Sequence, residues 1–188
     1  MPGPRPVAIL GGVRIPFCRQ NTAYADVGNL GMSVRTLGAL VERFGLHGQQ
    51  LGEVAMGAVI KHSSDWNLGR EAALSSGLSP LTPGITMQRA CGTSLDTIIS
   101  IGNKIALGQI DSGIGGGSDT TSEVPIVYGK KLRARLLAAN RAKSTGDKLK
   151  ALVKGFRFGE FKPEFPGVAE PRTGKSMGDH CEDMAKQW

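Results

Sequence analysis

No apolar run in these 188 residues approaches the ~20 needed to cross a bilayer, which excludes a membrane-spanning helix. The apolar stretch nearest the N-terminus, Val7-Ala8-Ile9-Leu10, is too short for a signal peptide. Cysteine is scarce, with three scattered residues. An odd, dispersed set excludes a disulfide scaffold and points to a reducing compartment, so the expected location is cytoplasmic. Metal-ligand spacing is missing as well. His47 and His62 have no partner in sequence, and adjacent His180-Cys181 would point about 100° apart on a helix, so all three histidines are expected to be structural or solvated and no metal is expected. No Walker spacing occurs, and no GxGxxG follows the first apolar run, which removes the usual phosphate loops. The 27 glycines lack a triplet repeat, which excludes collagen.

What is present is 40% apolar residues, enough for a buried core at this length. The net charge of +7 is local. Between Gly129 and Arg157 there are ten basic residues and one acid, Asp147, while the rest of the chain is slightly acidic. Three readings fit that segment: a solvated helical hairpin, a nucleic-acid surface, or recognition of an anionic small molecule or partner. No aromatic lies between Lys130 and Lys154 to stack on a base, so for nucleic acid the sequence offers charge alone.

The first 120 residues alternate strand and helix signals in the order β-α-β-α-β-α-β, which predicts an α/β layer on a largely parallel sheet. Val7–Leu10 opens this series. Leu30, Val34, Leu37, Val41 and Phe44 recur at helical spacing and Gly45 closes the helix. Val54 to Ile60 reads as a buried strand, Asn67 as the cap of a helix ending at Gly77, and Ile85 to Gln88 as a strand running into Cys91. The helix from Leu95 to Leu107 is apolar on most of its surface and is expected to be buried. Gly-rich Ser112 to Asp119 can be a strand only where something packs closely on it, and close packing also explains Gly115-Gly116-Gly117-Ser118 better than phosphate binding does. After Pro125 come a basic helical segment with Leu132, Leu136 and Leu137 on one side, a Pro- and Phe-rich stretch, and a helix from Ser176.

The segment Gln88-Arg89-Ala90-Cys91-Gly92-Thr93-Ser94 carries the most chemistry. A strand feeds a sharp turn and puts Cys91 at the start of a helix, where free amides and the helix dipole favour thiolate over thiol. Gly92 leaves room beside the sulfur. Two readings fit: a nucleophile, or a small cysteine in a core. Cys18 and Cys181 are expected to be packing residues.

These residues resemble the nucleophile motif of the thiolases. Gly116-Gly117-Ser118-Asp119-Thr120-Thr121-Ser122-Glu123-Val124-Pro125 resembles the family's Gly-Gly-x-Glu-x-Met-Ser-x-x-Pro, with Asp119 in place of Glu. Arg14-Ile15-Pro16-Phe17 resembles its Arg-Thr-Pro-Phe, and Met177-Gly178 followed by Ala185-Lys186-Gln187-Trp188 resembles a helix of its loop domain. The basic insertion and Pro163 to Thr173 are most similar to β-subunits of fatty-acid oxidation complexes. The resemblance implies a layered α/β fold of two similar halves. Residues 1–124 would be the first half, incomplete, and residues 125–188 a truncated loop domain.

It also implies a 3-ketoacyl-CoA thiolase, an acetyl-CoA C-acyltransferase of fatty-acid β-oxidation. Cys91 would be the catalytic nucleophile, Met177 would line the acyl pocket, and Ser176 stands where a histidine is often found. Coenzyme A would be co-substrate, with no bound cofactor and no metal. A homo-oligomer, a hydratase-dehydrogenase partner subunit and peripheral membrane contact are implied in the same way. The family's Gly-His-Pro histidine and second cysteine in Cys-x-Gly-x-Gly do not occur in these residues. The expectation is therefore the N-terminal portion of a thiolase. The alternatives are an inactive fragment serving as an assembly module and, with charge alone behind it, a basic nucleic-acid-binding protein.

Overall fold

The computed structural model describes residues 3–165 and 167–188. The chain forms two compact units, Met1–Val124 and Pro125–Trp188. In the first, α1 (Asn29–Arg43), β1 (Glu53–Gly57), α2 (Leu68–Ser75), β2 (Gly84–Met87), α3 (Thr93–Ala106) and β3 (Gly113–Gly115) follow one another. The strands form one sheet in the order β2-β1-β3, both pairings parallel, with Val54 opposite Gly84 on one side and Ile114 on the other. The α/β layering and parallel pairing expected from the alternating pattern are both present.

Side-chain alternation along β1 builds the layers. Val54 and Met56 point into the core with Leu37 and Val41 of α1 and Ala72 and Ala73 of α2. Gly57 points the other way, toward the first residue of α3. Val41, Val54 and Leu68 are fully buried, each contributing about 1.5–3 kcal/mol. Asn67 caps α2 by accepting from the Arg70 N–H at 3.2 Å. Gly45, Gly77 and Gly108 follow their helices with positive φ, the conformation for which glycine is suited.

Three expectations are corrected. Val7–Leu10 is not a strand: no strand pairs with it among the described residues, and Ile9 and Leu10 are more than four-fifths exposed. Arg5 ties its start instead, donating to the carbonyls of Ile105 and Ile110 and to Asp111, and Arg43 donates to the Gly12 carbonyl. β1 ends at Gly57 rather than Ile60, because the Asp119 carboxylate takes the Val59 and Ile60 amides at 2.7–3.0 Å and pulls them out of the ladder. α3 is covered on one face only. Thr93, Thr97 and Ile101 are buried, whereas Leu95, Ile98, Ile99 and Leu107 are exposed.

In the second unit, α4 (Lys130–Arg141) and α5 (Thr145–Val153) form a helical hairpin, β4 (Val127–Tyr128) pairs antiparallel with β5 (Pro163–Glu164), and α6 (Met177–Gln187) follows. Arg135 holds the hairpin together. Its guanidinium bonds Glu160 at 2.7 Å and the carbonyls of Lys154 and Gly155, over a cluster of Phe156, Phe158 and Phe161 packed edge to face. That guanidinium holds the Glu160 carboxyl below the usual carboxylate range. Of the three leucines read as one side of the basic helical segment, Leu132 is buried, while Leu136 and Leu137 remain nearly half exposed beside Ile126, Val127 and Tyr128. Ser176 caps α6 in a reciprocal capping box with Asp179.

Candidate active site

The turn between β2 and α3 is built around one unusual residue. Ala90 has φ +41°, a left-handed conformation that costs a non-glycine residue about 1–3 kcal/mol. The turn reverses the chain so that Cys91 stands exposed and Gly92, with no side chain, occupies the N-cap position of α3. Thr93, 4% exposed, spans the turn. Its Oγ1 accepts from the Arg89 N–H at 2.8 Å and donates to the Ala90 carbonyl at 2.8 Å. The Ser94 and Leu95 amides have no hydrogen-bond partner among the described residues, as expected at the open end of a helix. Arg89 pairs with Asp96 at 3.2 Å across the same turn.

Glycines let α3 sit this close to the sheet. A Cβ at Gly57 would lie 2.2 Å from the Thr93 methyl, one at Gly115 2.7 Å from the Ile98 Cα, and one at Gly117 2.8 Å from the Ser94 Oγ. The Gly-rich segment is thus a packing surface, as its composition suggested, and not an anion loop. Ser118 continues it, pairing with the buried Ser33 hydroxyl at 2.8 Å and donating to the Asn29 carbonyl.

Cys91 faces solvent and takes no part in the core of the described residues. Cys18 and Cys181 are exposed too, against the expectation that they pack. Cys18 follows an exposed Phe17 in a loop, and Cys181 lies on α6, which buries none of its residues. Burial, first, and the neighbouring Cys18 push the Tyr24 phenol up from its ordinary value. Met177, the other residue singled out in the sequence, is the first residue of α6 in the second unit, with its side chain 73% exposed.

No histidine hydrogen-bonds Cys91 among the described residues. His62 lies 4.0 Å from Glu123, and His180 pairs with Thr173 and Glu170 within the second unit. Among the described residues no cluster of three His, Cys, Asp or Glu side chains is placed to hold a metal. A cleft of about 970 Å³ runs between the Val7–Gln20 segment and the Ser94, Ile98 and Ile105 side of α3, but Cys91 does not line it. Three features escaped the sequence: left-handed Ala90, the Thr93 bridge, and Asp119 as acceptor for two amides. Only Asp119 left a trace, as a carboxylate closing the glycine run.

Comparison with known proteins matches this arrangement to one family. The thiolase N-terminal domain model matches residues 7–188. A 3-ketoacyl-CoA thiolase of Photorhabdus laumondii is 36% identical over 182 residues, which is 97% of this chain and 42% of that protein. One of Vibrio cholerae is 37% identical over the same shares, and one of Cronobacter sakazakii 36% over 96% and 41%. The chain therefore spans about two-fifths of the length of these curated relatives. Among solved structures, the Bacillus anthracis acetyl-CoA acetyltransferase superposes with a TM-score of 0.67 at 22% identity, over 89% of this chain and 38% of that one, which shows the shared fold. The chain belongs to the thiolase family, and its match is to the family's N-terminal domain.

Proposed function

We propose that Cys91 is the acyl-accepting nucleophile of a 3-ketoacyl-CoA thiolase. The observation that carries this reading is the exposed cysteine held between left-handed Ala90 and Gly92 at the open end of α3. In the reaction, the Cys91 sulfur attacks the keto carbon of a 3-ketoacyl-CoA. The bond between the α and β carbons breaks, and its electron pair leaves on the enolate of acetyl-CoA, which takes up a proton. The shortened acyl group stays on sulfur as a thioester until the thiol of a second coenzyme A attacks it and restores the Cys91 thiolate. By the family resemblance, Met177 would contact the acyl chain.

A base is also required, and a placed base contributes about 10²–10⁴-fold. None of the three histidines bonds Cys91, so in this reading the base comes from outside these 188 residues. The relatives' names support 3-ketoacyl-CoA as the substrate class. A role in β-oxidation, a cytoplasmic location, self-association and docking to a hydratase-dehydrogenase subunit through the basic hairpin extend the same reading. The test is limiting iodoacetamide at neutral pH followed by peptide mapping. Cys91 should be labelled ahead of Cys18 and Cys181, all three being exposed. Equal labelling, or preference for Cys18 or Cys181, would overturn the assignment.

A further inference from the structure

We propose that the Thr93 hydroxyl is the positioning group of the Cys91 nucleophile, an inference that rests on the reading of Cys91 given above. Thr93 is almost fully buried, and its role is to hold the turn rather than to contact substrate. Its single hydroxyl closes the strand-to-helix turn from both ends, accepting from the last amide before the turn at Arg89 and donating to the carbonyl of Ala90. Those two bonds flank the one residue of the turn held in a left-handed conformation, so they oppose its relaxation toward ordinary φ. The methyl group is fixed as well, because it faces Gly57 at a distance no Cβ could share. Rotating Thr93 about χ1 would carry the hydroxyl off both partners, break both bonds and move the methyl from its place against Gly57. The rotamer is therefore set by packing, and the hydroxyl by the rotamer.

The consequence falls on Cys91, which sits between the Ala90 carbonyl and Gly92. If Ala90 relaxed, the backbone that carries Cys91 would shift relative to the open end of α3, which begins two residues later at Thr93. Thr93 thus acts on the thiol through the backbone.

The experiment compares the full 188-residue chain with Thr93→Ser and Thr93→Val, the first keeping the hydroxyl and the second the shape. The probe is iodoacetamide, with rates at Cys91, Cys18 and Cys181 read separately by peptide mass and folding followed by circular dichroism. Thr93→Ser should leave the Cys91 rate within about twofold of the parent, while Thr93→Val should lower it by about fivefold, the size of a helix-terminus effect, with Cys18 and Cys181 unchanged. Adding Ala90→Gly to Thr93→Val should restore most of the lost rate, because glycine holds a positive φ without help.

An unchanged Cys91 rate in folded Thr93→Val overturns the proposal, as does an equal loss in Thr93→Ser, which would assign the effect to the methyl. Should Thr93→Val unfold both alone and with Ala90→Gly, Thr93 is a folding residue and not a positioning one, and the proposal falls. A parent chain whose Cys91 reacts no faster than Cys18 or Cys181 refutes instead the nucleophile reading on which this one stands.

Discussion

Gly57→Ala tests how tightly α3 is seated on the sheet. The added Cβ would lie 2.2 Å from the Thr93 Cγ2 and 2.4 Å from the Met87 carbonyl oxygen, against about 3.5–4.0 Å for ordinary contact. Neither neighbour can yield cheaply. The Met87 carbonyl belongs to β2, paired with β1. The Thr93 methyl cannot turn aside without breaking two hydrogen bonds, each worth about 0.5–1.5 kcal/mol net. The helix itself must lift, and overpacking of this kind costs about 1–3 kcal/mol. The reduced entropy of the unfolded Ala chain offsets about 0.4–1 kcal/mol. A net loss of about 0.5–2.5 kcal/mol is expected, which at a urea slope of about 2 kcal/mol per molar moves the midpoint down by about 0.3–1.2 M. Far-ultraviolet circular dichroism is the suitable probe, since Trp66 and Trp188 are both solvent-exposed and would report little by fluorescence. An unchanged midpoint would show that α3 has room to spare at Gly57 and would refute the close-packed account of the turn.

The other predictions use the same structure. Gly102→Ala, on α3 with only a Val7 methyl at 3.9 Å from the new Cβ, should stabilise the protein by about 0.5–1 kcal/mol in the same urea titration. Glu160 is held ionised below the usual carboxylate range by Arg135, so its contribution to the second unit is complete above about pH 4.5 and is lost as pH falls through the lowered value. Acid titration of Glu160→Gln, followed by circular dichroism, should lack that transition. Reversing Lys130, Lys131 and Arg133 should weaken association with an acidic partner in a salt-sensitive way while leaving helicity unchanged, whereas Arg135→Glu should melt the hairpin, because Arg135 is committed to Glu160 and two carbonyls.

Much of this fold was legible because local chemistry decides it. Gly45, Gly77 and Gly108 close helices at positive φ, and Asn67 caps α2; each signal needs only a few neighbouring residues. The site was half legible: a cysteine between a strand and a glycine-led helix is visible in one dimension, and the glycine run announced close packing. What could not be read depends on distant partners. Val7–Leu10 has strand composition, but a strand exists only beside another. β1 loses its last residues to a carboxylate sixty positions away. Alanine carries no mark of a left-handed turn, so Ala90 was invisible without Thr93 to hold it. Cys18 and Cys181 were misread because burial is set by what packs over a residue, and among the described residues both stay exposed.

If Cys91 accepts acyl groups from coenzyme A thioesters, as proposed above, acylation reads it most directly. Thioester exchange with acetyl-CoA needs a reactive thiolate and no carbon–carbon cleavage, so it can be read on these residues alone. The protein is incubated with acetyl-CoA, quenched in acid and mapped by peptide mass. The expected result is a hydroxylamine-labile acetyl group on the Cys91 peptide, accumulating faster than on the likewise exposed Cys18 or Cys181 and absent from Cys91→Ser. Acetyl spread evenly over the three thiols, or on Cys91 no faster than on free glutathione, would contradict it.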